Sequence, residues 1–312
     1  MKTITTSEIR AYKRCREEHR YSYALGYRTH YRGGALAFGT VVHAGLEAWW
    51  RGLPLAGALE ALHDSALAEG LDDYEQAKAA VMLEGYDARW GSLRGDFEVL
   101  HVEHTFRVLR GLGSYQLGGK FDALAVIEGQ PIVVEHKTTS EDIGAGSDYW
   151  ARLTLDDQVG NYLAAAEALG YRAGGVLYDV LKKPGVEPLR ATPPDKRRFK
   201  KDGTLYANQR EDDEPLEAYR ARLVEALAEA PQTYFARQLV VRFDEETARA
   251  NRDTDRIAAE ILRVVPDEPQ PRSPDACKRY GRMCEYFDVC TGAASLDDSA
   301  RFRRTTNPHE EL

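Results

Sequence analysis

Two carboxylates and a lysine lie close together on a predicted β-hairpin near the middle of the chain. Asp122 lies on its first arm, residues 118–127, and Glu135 and Lys137 lie on its second arm, residues 132–139. Successive side chains of a strand point to opposite faces, so Glu135 and Lys137 share one face roughly 6–7 Å apart. Carboxylates select hard cations such as Mg²⁺ or Mn²⁺, and an ammonium can meet a phosphate or activate water. The pattern predicts a nuclease centre; the alternative is an ordinary hairpin with solvated charges.

The elements around the hairpin are predicted from composition and periodicity. Both arms are rich in apolar and β-branched residues, and residues 128–131 form a turn-like break. Residues 97–110 alternate like a strand, with Glu103 either near the site or facing water, and residues 173–180 predict a further strand. The order strand, hairpin, helix, strand indicates an α/β core with a central mixed sheet flanked by helices.

Two helices are expected to bring further polar groups to the hairpin. Residues 35–50 form a mostly apolar helix with His43 and Glu47 on one side, where His43 is either a ligand or a hydrogen-bonded core residue. Residues 151–169 form a second helix, in which Gln158 and Tyr162 share a side and can point at the strand face. The alternative there is an exposed glutamine beside a partly buried tyrosine. The predicted buried stripe of this second helix is Leu155, Val159 and Leu163.

Composition limits the class of protein. The chain has 312 residues, 43% hydrophobic and 29% charged, which is typical of a soluble globular protein. A net charge of -8 argues against indiscriminate polyanion binding but permits a local basic groove. The first residues have no apolar signal region and no apolar run reaches membrane-spanning length, so we expect a cytoplasmic protein that does not contact membranes.

The sequence suggests five regions packed as one compact domain. They are an N-terminal helical region at 1–95, a core at 96–182, a basic insertion at 183–213, helices and a cysteine segment at 214–291, and a flexible polar tail at 292–312. The basic residues of the insertion are Lys196, Arg197, Arg198, Lys200 and Lys201. Interleaved with Phe199 and Tyr206, they predict binding to a nucleic-acid backbone with stacking on a base, although a solvated charged loop is the alternative.

The four cysteines are divided unevenly along the chain. Cys277, Cys284 and Cys290 lie within 14 residues, and Cys15 lies on a predicted helix near the start. Disulfides are rare inside cells, and the paired C-x-x-C knuckles of most zinc sites are absent. Four thiolates with irregular spacing favour a [4Fe-4S] cluster that joins the first helix to the last segment, with zinc or buried free thiols as alternatives.

Two common nucleotide-binding motifs are absent. The glycines of residues 111–119 do not form a G-x-G-x-x-G run before a helix, so no dinucleotide loop is predicted, and no Walker A sequence occurs. If duplex unwinding is required, a helicase must be a separate partner.

Taken together, these motifs resemble the RecB-like branch of the PD-(D/E)XK nucleases with an iron-sulfur staple, which includes CRISPR-associated adaptation exonucleases and the AddB nuclease domain. The resemblance covers most of the chain, including the Ser7-x4-Tyr12-x2-Cys15 pattern near its start. Two features depart from the family pattern: Phe121 replaces the proline before the aspartate, and the first late cysteine is unusually far from the second.

The resemblance implies a restriction-endonuclease-like core that hydrolyses DNA phosphodiesters with Mg²⁺ or Mn²⁺. The metal ligands it implies are His43, Asp122, Glu135 and the backbone carbonyl of His136. Its implied catalytic residues are Asp122, Glu135, Lys137, Gln158 and Tyr162, and its implied cluster ligands are Cys15, Cys277, Cys284 and Cys290. The expected function is that of a DNA exonuclease in recombination, repair or CRISPR-type processing. The alternative is a non-catalytic DNA-binding subunit of such a complex.

Overall fold

The computed structural model describes residues 1–30, 33–279, 281–310 and 312. Its strands are β1 (Thr3–Thr5), β2 (Tyr27–Thr29), β3 (Glu98–Arg110), β4 (Tyr115–Ile127), β5 (Gln130–Thr139), β6 (Val176–Lys182), β7 (Phe235–Val240), β8 (Lys278–Arg279), β9 (Arg282–Met283) and β10 (Phe302–Arg304). Its α-helices are α1 (Thr6–Arg14), α2 (Arg16–His19), α3 (Gly34–Trp50), α4 (Leu55–Glu69), α5 (Asp73–Trp90), α6 (Asp148–Leu153), α7 (Asp157–Ala168), α8 (Leu216–Glu229), α9 (Pro231–Tyr234), α10 (Asp244–Ile261) and α11 (Phe287–Thr291).

A mixed sheet of six strands forms the centre of the fold. The order is β1-β4-β5-β6-β7, with β3 also pairing to β4. The β4–β5 hairpin is confirmed, but its turn is shorter than predicted: Ile127 pairs with Gln130 across Glu128 and Gly129. Both turn residues have positive φ, 50° and 78°, which is the backbone of a two-residue hairpin turn whose twist matches that of the strands.

Helices cover both faces of this sheet. On one face, Phe121 and Val133 pack in a core with Val159 of α7 and Ala258 of α10. On the other face, strand residues such as Ala123 pack in a second core with α3, α5 and α8. The predicted α/β arrangement of a mixed sheet between helices is therefore confirmed. Among the described helices, none is both long and apolar enough to cross a membrane.

Strand β4 changes its neighbour along one edge. Residues 116–118 pair with β1 in parallel, and residues 123–127 pair with β5 in antiparallel fashion. Because β3 pairs with β4 along both stretches, β1 and β5 must lie on the same edge, one after the other. Residues 119–122 form the gap between these two pairings, and Asp122 lies at its end.

Two predictions about helical segments are wrong. The predicted helix at 151–169 is two helices, α6 and α7, and Leu155 in the link between them is 86% exposed rather than buried. The break arises because Asp156 caps α7, its carboxylate accepting a hydrogen bond from the Gln158 backbone amide at 2.8 Å. Cys15 likewise interrupts the predicted first helix with an extended backbone, between α1 and α2.

Two further differences concern strands. The region 214–262, predicted to be helical, contains β7 at the edge of the sheet, paired antiparallel with β6. The polar segment 292–312, predicted to be a flexible tail, contains β10, which pairs with β2. His309 of this segment is buried, and its Nε2 lies 3.0 Å from the Thr3 carbonyl oxygen. The contacts of β10 and His309 join residues more than 270 positions apart, so local composition does not reveal them.

Candidate active site

Asp122 lies in the gap where β4 has left β1 and has not yet met β5. Its side chain is buried, and its Oδ2 accepts a 2.7 Å hydrogen bond from the His136 backbone amide. Nδ1 of His43 is 3.7 Å from its Oδ1. Burial acts to raise the pKa of Asp122, but the nearby charges of His43 and Lys137 bring it well below its ordinary value. Asp122 is therefore an ionised carboxylate at neutral pH.

His43 is brought to this carboxylate by α3. Val42 and Leu46, which precede and follow His43 on this helix, are buried, and the His43 side chain is half-buried. Burial acts to lower the pKa of His43, but the Asp122 carboxylate outweighs it and raises that pKa. Glu47, one turn further along α3, forms an ion pair with Arg51 at 2.7 Å.

Glu135 is buried on the sheet face that α7 covers. Gln158 Nε2 donates a hydrogen bond to its Oε1 at 2.9 Å, and the Tyr162 hydroxyl lies 2.8 Å from its Oε2. The same hydroxyl lies 2.9 Å from the carbonyl oxygen of Lys120, in the gap of β4. Burial, together with the charge of Asp122, raises the pKa of Glu135 above its ordinary value. The structure thus brings Gln158 and Tyr162 to Glu135, as the four-residue spacing on the helix predicted.

Lys137 and His136 follow Glu135 but point to opposite faces of the sheet. The Lys137 ammonium forms an ion pair with Glu135, and the lysine side chain is 34% exposed. The His136 ring is buried on the other face, where its Nδ1 is 3.7 Å from Asp179 Oδ2 and burial lowers its pKa to about 4. Only the main chain of His136 therefore contacts Asp122.

A buried polar cluster behind the site was not identified in the sequence. The Asp179 carboxylate accepts hydrogen bonds from the Tyr86 hydroxyl at 2.5 Å and from Arg237 at 2.9 Å. Trp50 Nε1 donates to the same Tyr86 hydroxyl at 2.9 Å. The cluster packs against the His136 ring, whose centroid is 5.5 Å from that of Trp50. Its residues lie on four separate elements, so no local motif could have revealed it.

Two further charged residues near the site were missed or left open. Glu103 on β3 forms an ion pair with Lys120. Its neighbours Val102 and His104 pair with Ala123 and Phe121, so Glu103 lies opposite Asp122 rather than simply facing water. Burial raises the pKa of Glu103, with a further contribution from Asp122. Arg10 on α1 donates a 3.3 Å hydrogen bond to Gln158 Oε1. Nothing in the sequence around Arg10 indicates this contact.

The donor types at this site fit Mg²⁺ or Mn²⁺. Carboxylate and carbonyl oxygens with one imidazole are ligands that these ions accept. His43 and Asp122 are close, whereas the Glu135 carboxylate is engaged by Lys137 and its helix partners. Within the described residues, no group of three or more His, Cys, Asp or Glu side chains is close enough together to hold a metal ion.

The four cysteines line one cavity of about 400 Å³ between the first and last segments of the chain. All are free thiols and half-buried. Burial raises the pKa of Cys284 to about 11, with contributions from the other cysteines Cys290 and Cys15. The Cys284 backbone amide donates a 2.7 Å hydrogen bond to the Cys277 carbonyl, which closes the turn that carries both residues.

The basic insertion leaves the sheet at the same end as the site. Thr139 of β5 pairs with Lys182 of β6 in parallel, so both strands end together. The exposed basic and aromatic side chains of residues 195–206 are Lys196, Arg198, Phe199, Lys200, Lys201 and Tyr206, and the acidic Asp195 and Asp202 beside them are exposed as well. Arg197 differs from them because its guanidinium donates to two backbone carbonyls, at 2.9 and 2.7 Å.

Comparison with known proteins identifies the family. The profile of the PD-(D/E)XK nuclease superfamily matches residues 3–291. The chain belongs to this superfamily. Membership accounts for the restriction-endonuclease-like α/β core and makes the protein a nuclease of the hydrolase class.

Two solved structures are similar to this PD-(D/E)XK chain at low identity. One is the crystal structure of SSO0001, 16% identical, which covers 81% of this chain and 84% of its own, with a TM-score of 0.24. The other is protein VC1899 from Vibrio cholerae, 14% identical, covering 54% of this chain and 57% of its own, with a TM-score of 0.17. No curated protein matches the sequence.

Proposed function

We propose that this PD-(D/E)XK nuclease is a Mg²⁺- or Mn²⁺-dependent exonuclease that hydrolyses phosphodiesters of single-stranded or end-containing DNA. One observation carries the proposal: Asp122, at the end of the gap of β4, accepts a hydrogen bond from the His136 backbone amide and lies 3.7 Å from His43, while Glu135 and Lys137, the two neighbours of His136 in sequence, form an ion pair. The motif residues come from two strands, β4 and β5, and two helices, α3 and α7.

The residues that would hold the cation are His43, Asp122, Glu135 and the backbone carbonyl of His136. When bound, the cation lowers the pKa of water and polarises the phosphate. Lys137, which is partly exposed beside Glu135, orients the attacking water or stabilises charge that develops on the phosphate. Gln158 and Tyr162 hold the Glu135 carboxylate by one hydrogen bond to each oxygen.

The cysteine cavity supports a [4Fe-4S] cluster as a second cofactor. A zinc ion needs all four sulfurs about 2.3 Å from one point, whereas a cluster presents its iron atoms on separate corners. Thiols that are spread around a cavity of about 400 Å³ suit the cluster better. Iron and sulfide analysis of brown, anaerobically purified protein tests this assignment, and a colourless protein with one equivalent of zinc contradicts it.

The basic insertion is proposed to guide DNA towards the site. Lys196, Arg198, Lys200 and Lys201 would contact phosphates, and the 58% exposed Phe199 would stack on a base. Arg197 was predicted to share this role, and its backbone contacts support a part in shaping the loop. We place the activity in recombination, repair or CRISPR-type DNA processing, with a helicase or another protein of such a complex as partner.

A digestion assay tests the proposed function. End-labelled single-stranded and duplex DNA and circular DNA are incubated with Mg²⁺, with Mn²⁺ and with chelator. We expect metal-dependent loss of nucleotides from ends in the wild-type protein and none in Lys137→Met, which keeps the length of the side chain. Asp142→Asn, on the exposed loop after β5, serves as a control. Equal digestion by the wild type and Lys137→Met contradicts the assignment, and binding without turnover in the wild type favours a non-catalytic subunit.

A further inference from the structure

Arg10 reaches the catalytic centre from a helix that carries none of the motif residues of that centre. It lies on α1, and its guanidinium nitrogen Nη2 forms an ion pair with Asp156 and donates to Gln158 Oε1 at 3.3 Å. Asp156 caps α7, so Arg10 contacts both the cap and the first-turn glutamine of that helix. Burial acts to lower the pKa of Arg10, but Asp156, with smaller contributions from Tyr178 and Glu135, raises it.

Arg10 contacts the oxygen end of the Gln158 amide, and Glu135 contacts its nitrogen end. A side-chain amide has one oxygen that only accepts hydrogen bonds and one nitrogen that only donates them. With its oxygen held by Arg10, Gln158 presents its nitrogen to Glu135 Oε1 at 2.9 Å and to the Tyr162 hydroxyl at 2.6 Å. The reversed amide would place an oxygen against a carboxylate oxygen, which is repulsive.

We propose that Arg10 is a positioning residue of the active site, which orients the Gln158 amide and thereby holds the Glu135 carboxylate in place for its metal ion. The proposal rests on the proposed function, since it gives Glu135 the role of a metal ligand. It also makes α1 part of the catalytic centre. The same helix ends at Cys15, so one helix joins the cysteine cavity to the site.

The buried hydroxyl of Tyr178 lies beside the same contacts. Tyr178 is fully buried, and within the described part of the chain its hydroxyl has no hydrogen-bond partner. Tyr178 of β6 is the register partner of Glu135 on β5. Asp156 and Glu135 add to the effect of burial in raising the pKa of Tyr178, whereas Arg10 opposes them. Arg10, paired with Asp156, is one cation beside these acidic side chains, and Lys137, paired with Glu135, is another.

Lys13 offers a matched control on the same helix. Its ammonium forms an ion pair with Asp157 at 2.7 Å, so it also joins α1 to α7, but that ion pair does not include Gln158. The two side chains have similar exposure, 42% for Arg10 and 48% for Lys13. A role that is only structural would make Arg10→Met and Lys13→Met equivalent.

The experiment is a double-mutant cycle of Arg10→Met and Gln158→Leu, with Lys13→Met as control. Cleavage of end-labelled DNA gives kcat and KM, calorimetric titration with Mn²⁺ alone gives metal affinity, and urea unfolding checks the fold. We expect Arg10→Met to lower kcat and Mn²⁺ affinity by about 10-fold, the size typical of residues that orient metal ligands. KM should stay within about twofold, and the double variant should match Gln158→Leu alone.

Each outcome has a defined meaning. If the effects of Arg10→Met and Gln158→Leu multiply, or if Arg10→Met behaves like Lys13→Met, the positioning role is wrong while the proposed function stands. If the wild-type protein cleaves no DNA, but the variants lose Mn²⁺ affinity in the pattern expected above, the proposed function is wrong and the positioning role stands.

Discussion

The backbone amide of His136 donates a 2.7 Å hydrogen bond to Asp122 Oδ2, beyond the point where the ladder between β4 and β5 ends. The last paired residues of the ladder on this side are Ala123 and Val134. The Asp122 side chain thus links β4 to β5 at a point where their backbones no longer pair. It leaves the second oxygen of Asp122 directed to His43.

This relationship predicts the effect of Asp122→Asn. The amide oxygen can still accept the hydrogen bond from His136, but the lost attraction between the carboxylate and His43 should lower the free energy of unfolding. The lost charge should lower DNA cleavage by more than the roughly 10- to 100-fold typical of residues that only support metal ligands. Urea unfolding and the end-labelled digestion assay measure the two effects. Wild-type cleavage by this variant would remove Asp122 from the site.

The buried carboxylate of Glu8 predicts a loss of stability in acid. Burial acts to raise its pKa, but a 2.9 Å contact with His19 and the charge of Lys2 lower it overall. A lowered folded-state pKa means that Glu8 contributes stability above its unfolded pKa of about 4.3 and loses it as pH falls through the folded value. The stability difference between wild type and Glu8→Gln should therefore shrink from pH 7 to pH 3.

Urea unfolding at pH 7, 5 and 3 tests this prediction. Glu98→Gln, at an exposed position on β3, is the control and should show a small and constant difference. A difference for Glu8→Gln that is unchanged at pH 3 would contradict the role assigned to the Glu8 charge.

The cluster behind the site predicts strong coupling between Arg237 and Asp179. Asp179 is fully buried, and Arg237→Met would leave its charge without a cation. We expect a loss of about 3–5 kcal/mol, the usual cost of removing one partner of a buried ion pair. The double variant Asp179→Asn with Arg237→Met should recover part of that loss, because no unpaired charge remains. Equal stability of the single and double variants in urea would show that the pair is not coupled.

The last strand predicts that the end of the chain contributes to stability. Phe302 of β10 is buried and stacks on Tyr286, with ring centroids 5.8 Å apart. Phe302→Ala should lower the free energy of unfolding by about 3 kcal/mol. Phe243→Ala, at a phenylalanine that is 77% exposed, should change it by less than about 0.5 kcal/mol. Equal values for the two variants would mean that β10 frays in solution.

Much of the site was predictable because its signals are local. Each arm of the β4–β5 hairpin has the composition of a strand, and a four-residue step places Gln158 and Tyr162 on one side of a helix. The meeting of these elements with His43 came from the family resemblance rather than from the residues alone. The prediction that Leu155 is buried was wrong because Leu155 lies before the cap at Asp156, where the periodicity of α7 begins.

The rest depends on contacts between distant parts of the chain. Strand β1 has three residues and pairs with residues more than 110 positions later, so its own composition carries little signal. Arg10 looks like any surface arginine until α1 is packed on α7. The pairing of β10 with β2 is of the same kind, and so is the burial of His309.

The change of neighbour along β4 has a consequence for the order of folding. The hairpin between β4 and β5 closes a two-residue loop and can form early, whereas the pairing of β1 with β4 must bring together residues separated by more than a third of the chain. The β4–β5 side of the gap therefore forms early, and the β1–β4 side forms late. A newly synthesised chain would therefore carry Asp122 and Glu135 on a formed hairpin before its active site is complete.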